Sequence, residues 1–242
     1  MQLKGRGWVV LVAALLVAAL TARLGLWQLD RADQKNRAQQ VLNERRALPP
    51  VTAGELAIRS GDAAAQYSRA ITLEGRWQSA LTVYLENRQM DARVGFYAVT
   101  PLLLGDGTAV LVQRGWLPRD QADRTRIVAA PAPAGRVTVQ GRIAPAPGRV
   151  YDFAGAASGP IRQNLSIEAY ARETALPLRP VSVVEEDGPA APQDGLLRHW
   201  TAPAADVHKH YGYAFQWFAL STLTIALYVW FQIIQPLRRR AG

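Results

Sequence analysis

The chain contains no cysteine, two methionines and three histidines among its 242 residues. Each scarcity excludes some chemistry. Without thiols there is no thiolate nucleophile, no cysteine-based zinc site and no cysteine-based copper-delivery site, and Met1 and Met90 alone do not make a thioether copper site. The lack of disulfides leaves the redox compartment open, because a domain of this size can be held by its core. Acidic residues are missing from both ends. All nineteen lie between Asp30 and Asp206, whereas Lys4, Arg6 and Arg23 mark the N-terminal end and Arg238, Arg239 and Arg240 the C-terminal end. The formal charge of +9 therefore resides mainly in the tails. There it reads as membrane topology and not as a nucleic-acid footprint, so no nucleic-acid partner is expected.

Charge is also scarce in two long apolar runs. Gly7 to Ala22 reads GWVVLVAALLVAALTA, and after Arg23 the pattern continues as LGLWQL to Leu29. At about 1.5 Å per residue this stretch spans roughly 34 Å, enough for a hydrocarbon core of about 30 Å. Arg23 then lies near the far edge, where its long stem reaches the interface. A cleaved signal peptide is the competing reading. The apolar pattern crosses the candidate cut after VAA or LTA, and Trp27 suits an interface, which favours an anchor. The second run, Gly212 to Ile234, is uncharged, has Tyr213 and Trp217 near one end and Trp230 and Phe231 near the other, and precedes Pro236 and three arginines. The expected organisation is a tail (1–6), a transmembrane helix (7–29), a domain (30–211), a second transmembrane helix (212–234) and a basic tail (235–242). Two basic tails place both termini in the cytoplasm of a bacterial cell and the middle on the periplasmic side of the inner membrane.

Within the middle, DRADQKNRAQQVLNERR reads as a helix leaving the membrane and closed by Pro49 and Pro50. The period then changes. YSRAITLEGRW, ALTVYLENR, GFYAVTPLLL, AVLVQRGWLP, GRVTVQGRI and VSVVEEDG are short β-branched or aromatic runs. Asp106-Gly107 supplies a hairpin turn. IRQNLSIEAYARETAL reads as a short helix capped by Asn164 or Ser166, and AAPAPAGR and EDGPAAPQDG read as loops. The fold class expected is a membrane protein of α+β type, with two transmembrane helices flanking an antiparallel β-rich extracytoplasmic domain. No G-x-S-x-G elbow, H-E-x-x-H spacing or phosphate loop is present, so no catalytic residue is assigned and an enzyme is not expected.

GLWQLDR (Gly25 to Arg31), VLVQRGWLP (Val110 to Pro118) and HYGYAFQWFAL (His210 to Leu220) together resemble the Surfeit locus protein one family, assembly factors of haem–copper cytochrome c oxidase. The resemblance covers nearly the whole chain. It implies a non-enzymatic helper of oxidase biogenesis that acts on oxidase subunit I as haem a enters, with haem a bound transiently and haem a synthase as a further partner. The family's motif histidine falls on His210 and its tryptophan on Trp217. Gln113 stands where an asparagine is commoner, and His208 offers a second candidate ligand.

The residues can be read beside that resemblance. On a helix His210, Tyr213, Ala214 and Trp217 share a face, while His208 points elsewhere. A neutral imidazole can ligate haem iron, and Ala214 leaves room for a macrocycle between this helix and the first span or another subunit. The alternative is that His210 and Tyr213 are polar residues at the lipid interface, with Trp217 as a belt anchor. Arg23 and Trp27 share a face of the first span, where Arg23 either pairs with a haem propionate or lipid phosphate or simply snorkels. Arg114 and Trp116 read as structural, with Gly115 ending a strand and Arg114 pairing with an acid; a partner-binding surface is the second reading. Two other functions stay open: a cofactor-free membrane scaffold for oxidase assembly, and a membrane-anchored periplasmic enzyme or sensor.

Overall fold

The computed structural model describes residues 5–120, 127, 132–148, 159–188, 194–202 and 204–241. Lys4 and parts of the two proline-rich loops expected at 129–136 and 186–195 lie outside the described residues. The chain forms two compact units, Met1–Val41 with Ala202–Gly242, and Leu42–Thr201.

Two helices dominate the first unit, and both are long and apolar enough to cross a membrane. Helix α1 (Gly5–Arg46) runs without interruption through the apolar stretch into the polar one. Nothing within it breaks the backbone ladder, since its first proline comes only at Pro49. The second long helix, α4 (Val207–Val229), continues through a wide π turn (Trp230–Ile234) into α5 (Gln235–Ala241). The wide turn comes just before Pro236. A proline has no N–H to give and crowds the carbonyl one turn earlier, and the widened turn absorbs both defects. Because α4 starts at Val207, His208 and His210 both lie in its first turns.

The second unit is built on a seven-stranded sheet. Its strands are β1 (Ala70–Trp77), β2 (Val83–Met90), β3 (Arg93–Leu104), β4 (Ala109–Pro118), β5 (Arg136–Ala144), β6 (Ile161–Arg162) and β7 (Leu178–Glu185). The order β1-β5-β7-β4-β3-β2-β6 is closed by a second pairing of β1 with β3, so five strands form a barrel and β2 and β6 extend it. Closure leaves no unpaired edge along the barrel. The pairings are antiparallel except β4 with β7 and β2 with β6. Alternation along β4 explains its burial on both faces: Val110 and Val112 join Leu73, Leu102, Val139, Ile143 and Val183 in one core. Leu111 joins Val83, Leu85, Val99 and the helix α3 (Ile167–Thr174) in another.

The local signals mostly hold. Asp106 accepts from the Thr108 backbone N–H at 2.9 Å while Gly107 sits at φ +83°. Ser166, not Asn164, caps α3 by accepting from Ala169 N–H. Two points differ. A short helix α2 (Ser60–Gln66) precedes β1, which starts only at Ala70. Gly115 does not end a strand, because β4 continues to Pro118 through a bulge at Arg114 and Gly115, opposite Ala98 and Val99. A Cβ at Gly115 would lie 2.7 Å from Leu196 Cβ, so glycine permits a close crossing there.

Candidate functional site

The helix pair places the histidines. Along α1 the seam residues Ala18, Thr21, Gly25, Gln28 and Ala32 recur every three or four positions, and four of the five are small. Small side chains let membrane helices approach, because dispersion and hydrogen bonds, not the hydrophobic effect, drive helix association in lipid. From α4, His210, Ala214, Phe218 and Ser221 meet them. Ser221 Oγ donates to Ala18 O at 2.9 Å, and Ala214 is 2% exposed. The Phe218 ring fills the space above Gly25, where a Cβ would stand 2.7 Å from it.

His210 is half-buried, with Nδ1 2.7 Å from Gln28 Oε1. An amide oxygen only accepts, so Nδ1 is the donor, and in the neutral ring the lone pair is then on Nε2. This is the arrangement of a ligating histidine held from behind by its other nitrogen. Lys35 Nζ to Ala205 O and Asn36 Nδ2 to Tyr211 OH tie the same end of the pair.

The other candidates are placed differently. Tyr213 is 51% exposed and stands outside the seam, and Trp217 is half-buried at its edge. A helical face about 100° wide includes both seam and flank, which is why the sequence groups them. His208 is exposed. Arg23 is exposed with no ion pair among the described residues, and Trp27 stacks under Arg31 at 5.6 Å instead. A haem between the two helices does not fit, because Ala214, Phe218 and Ser221 already fill that space against α1. Among the described residues of the helix pair, the group whose chemistry suits haem iron is the His210 imidazole, whose Nδ1 is engaged by Gln28.

The Gln113-Arg114-Gly115-Trp116 stretch lies inside the barrel unit. Arg114 is 1% exposed, donates to Asp194 at 2.9 Å and lies 5.1 Å from the Trp77 ring centre. Asp194 also holds Arg198 at 2.8 Å, and Arg198 reaches Glu185 at 3.5 Å. Trp116 is fully buried, exchanges both backbone hydrogen bonds with Leu197, and donates its indole N–H to Arg88 O. Gln113 donates to Ser182 Oγ at 2.9 Å. Such buried side chains offer no partner surface, so the structure selects the structural reading. What the sequence missed is the DGLLRHW segment (194–200), which straps across this stretch. Its one signal was an aspartate and an arginine four residues apart.

A family model described as the SURF1 family matches residues 15–222, a span that includes all three motifs. The chain belongs to the SURF1 family. A SURF1-like protein of Dictyostelium discoideum is 33% identical over 99 residues, covering 38% of this chain and 37% of that protein. The chain thus aligns with well under half of that relative's length. Of the three family motifs, the first and third meet in the helix pair and the second forms the buried strap contact.

Burial pushes the Glu185 carboxyl up to about 7, against the pull of Arg198 and Arg114 and with added push from Asp194. A carboxyl raised in the folded state contributes stability that is fully present below its unfolded value of 4.5 and lost as pH rises through about 7. The loss amounts to about 3 kcal/mol at most. Glu185→Gln keeps the neutral form at every pH. Thermal unfolding of the detergent-purified chain should therefore show the variant more stable than wild type at pH 8, with the difference closing as pH falls to about 4.

Proposed function

We propose that this chain is a membrane-held assembly factor for haem–copper cytochrome c oxidase that acts on subunit I at the haem a insertion stage, with haem a synthase as a second partner. It would sit in the bacterial inner membrane among its lipids, with both termini cytoplasmic and residues 30–211 periplasmic, and turn over no substrate. The family match over residues 15–222 carries this reading, since it supports a role in oxidase assembly at the family level.

His210 would hold haem a, with His208 as the alternative ligand. Bound haem a would supply an iron that accepts one imidazole nitrogen. Gln28 fixes the Nδ1–H of His210 and so orients the ring. Tyr213 and Trp217 would stand against the macrocycle, and Arg23, an exposed cation on α1, is available to a propionate or a lipid phosphate. A single protein ligand and a closed seam suit transient holding, with subunit I completing the contact. The closed seam also favours a second reading, a scaffold without cofactor.

An optical spectrum separates the two. The protein is co-expressed with haem a synthesis and purified in detergent as wild type, His210→Ala and His208→Ala. Haem a in wild type and His208→Ala but not in His210→Ala is the expected result. A colourless wild type would leave the scaffold.

A further inference from the structure

Five arginines of the barrel unit, Arg88, Arg114, Arg162, Arg179 and Arg198, are buried to 7% exposure or less. Four meet carboxylates: Arg114 and Arg198 on Asp194, Arg162 on Glu173, and Arg179 on Asp106. Arg88 has no carboxylate within 4.0 Å among the described residues. Its Nη2 donates to Gln163 O at 2.7 Å, and its guanidinium lies 5.8 Å from the Tyr97 ring centre. Its Nε is buried without a hydrogen-bond partner, and so is Gln163 Oε1.

The backbone puts Arg88 there. The β2–β3 register shifts between Leu85 and Arg88, with Asn87 at φ +58°. A bulge of this kind re-aims the side chain that follows it. The Trp116 indole holds the Arg88 carbonyl at 2.9 Å. Tyr97, the ring nearest the guanidinium, in turn packs edge-on against Trp200 at 5.1 Å, and both rings are only partly buried. A buried cation without a counter-charge is costly, and burial holds the Arg88 pKa below the usual arginine range. An unpartnered buried Nε is shared with Arg198, but the other four arginines each face a carboxylate and Arg88 does not.

We propose that Arg88 receives a carboxylate carried by a ligand, with Tyr97 and Trp200 against the ligand's apolar part. A planar guanidinium suits the two oxygens of a carboxylate, and the unpartnered Nε is donor capacity that no described residue uses. A free organic acid and an acidic side chain of a polypeptide present the same group.

Calorimetric titration of the full detergent-purified chain tests the site and separates the two sources. The probes are succinate, an acetylated and amidated hexapeptide with one central aspartate, and the same peptide with asparagine. Saturable binding of succinate or of the aspartate peptide is expected, with the asparagine peptide and the Arg88→Met protein weaker by at least about thirtyfold. Tighter binding of the peptide than of succinate assigns a polypeptide source, and the reverse assigns a small acid. Arg88→Met should also raise the thermal midpoint without ligand by about 2 °C or more, because an uncompensated charge has gone. A lowered midpoint in Arg88→Met, or no saturable binding of either acidic probe, overturns the proposal.

Discussion

Arg114→Ala is expected to destabilise the barrel unit by about 3–5 kcal/mol, the usual cost of removing one partner from a buried ion cluster. In wild type two guanidinium groups, Arg114 and Arg198, face Asp194 and Glu185 with almost no solvent contact. Without Arg114, Asp194 loses one of its two guanidinium partners and keeps Arg198 and the Leu196 backbone N–H, and the Trp77 ring loses the cation beside it. The thermal midpoint of the purified chain, followed by tryptophan fluorescence, should fall by on the order of 10 °C. Arg114→Met separates charge from volume, since it refills most of the space and restores none of the charge. It should recover only the packing part of the loss. An unchanged midpoint in Arg114→Ala would show that the cluster does not hold the strap.

The second large effect is expected at Gly25. The Phe218 ring occupies the place of a side chain there, with Cε1 2.7 Å and Cζ 2.8 Å from where a Cβ would stand. Alanine is partly accommodated, because the ring can turn aside. Leucine is not, and overpacking of this kind costs about 1–3 kcal/mol. Gly25→Leu should therefore part the seam, releasing Ser221 from Ala18 and His210 from Gln28. The absence of cysteine makes this easy to read. In a chain carrying Ala18→Cys and Ser221→Cys, oxidation should form an intramolecular disulfide with Gly25 present and little of it with Gly25→Leu. Equal cross-linking in both backgrounds would show that Gly25 does not set the approach of the helices.

Local periodicity revealed the elements, and long-range pairing decided how they are used. The spans were legible because uncharged runs of that length are rare, and the strands because short β-branched runs are set apart by glycine, aspartate and proline. The Asp106-Gly107 turn and the Ser166 cap were legible for the same local reason. Sheet closure was not, since β1 meets β3 at Gly75–Leu104 only through the three-dimensional path of the chain. The acid for Arg114 lies 80 residues away, so the sequence showed a buried-looking arginine without showing its partner. The sequence grouped Tyr213 with His210 because they are three positions apart on a helix. Packing against Gly25 and Ala18 selected Ala214, Phe218 and Ser221 for the seam and left Tyr213 outside.

If the chain acts as proposed, oxidase lacks haem a when the chain is missing. The most direct test is a reduced-minus-oxidised spectrum of membranes from cells without the gene, beside the same cells carrying the full chain. The haem a signal and cytochrome c oxidase activity should fall together and return with the wild-type chain. Membranes that keep their full haem a signal and activity without it would contradict the proposed function.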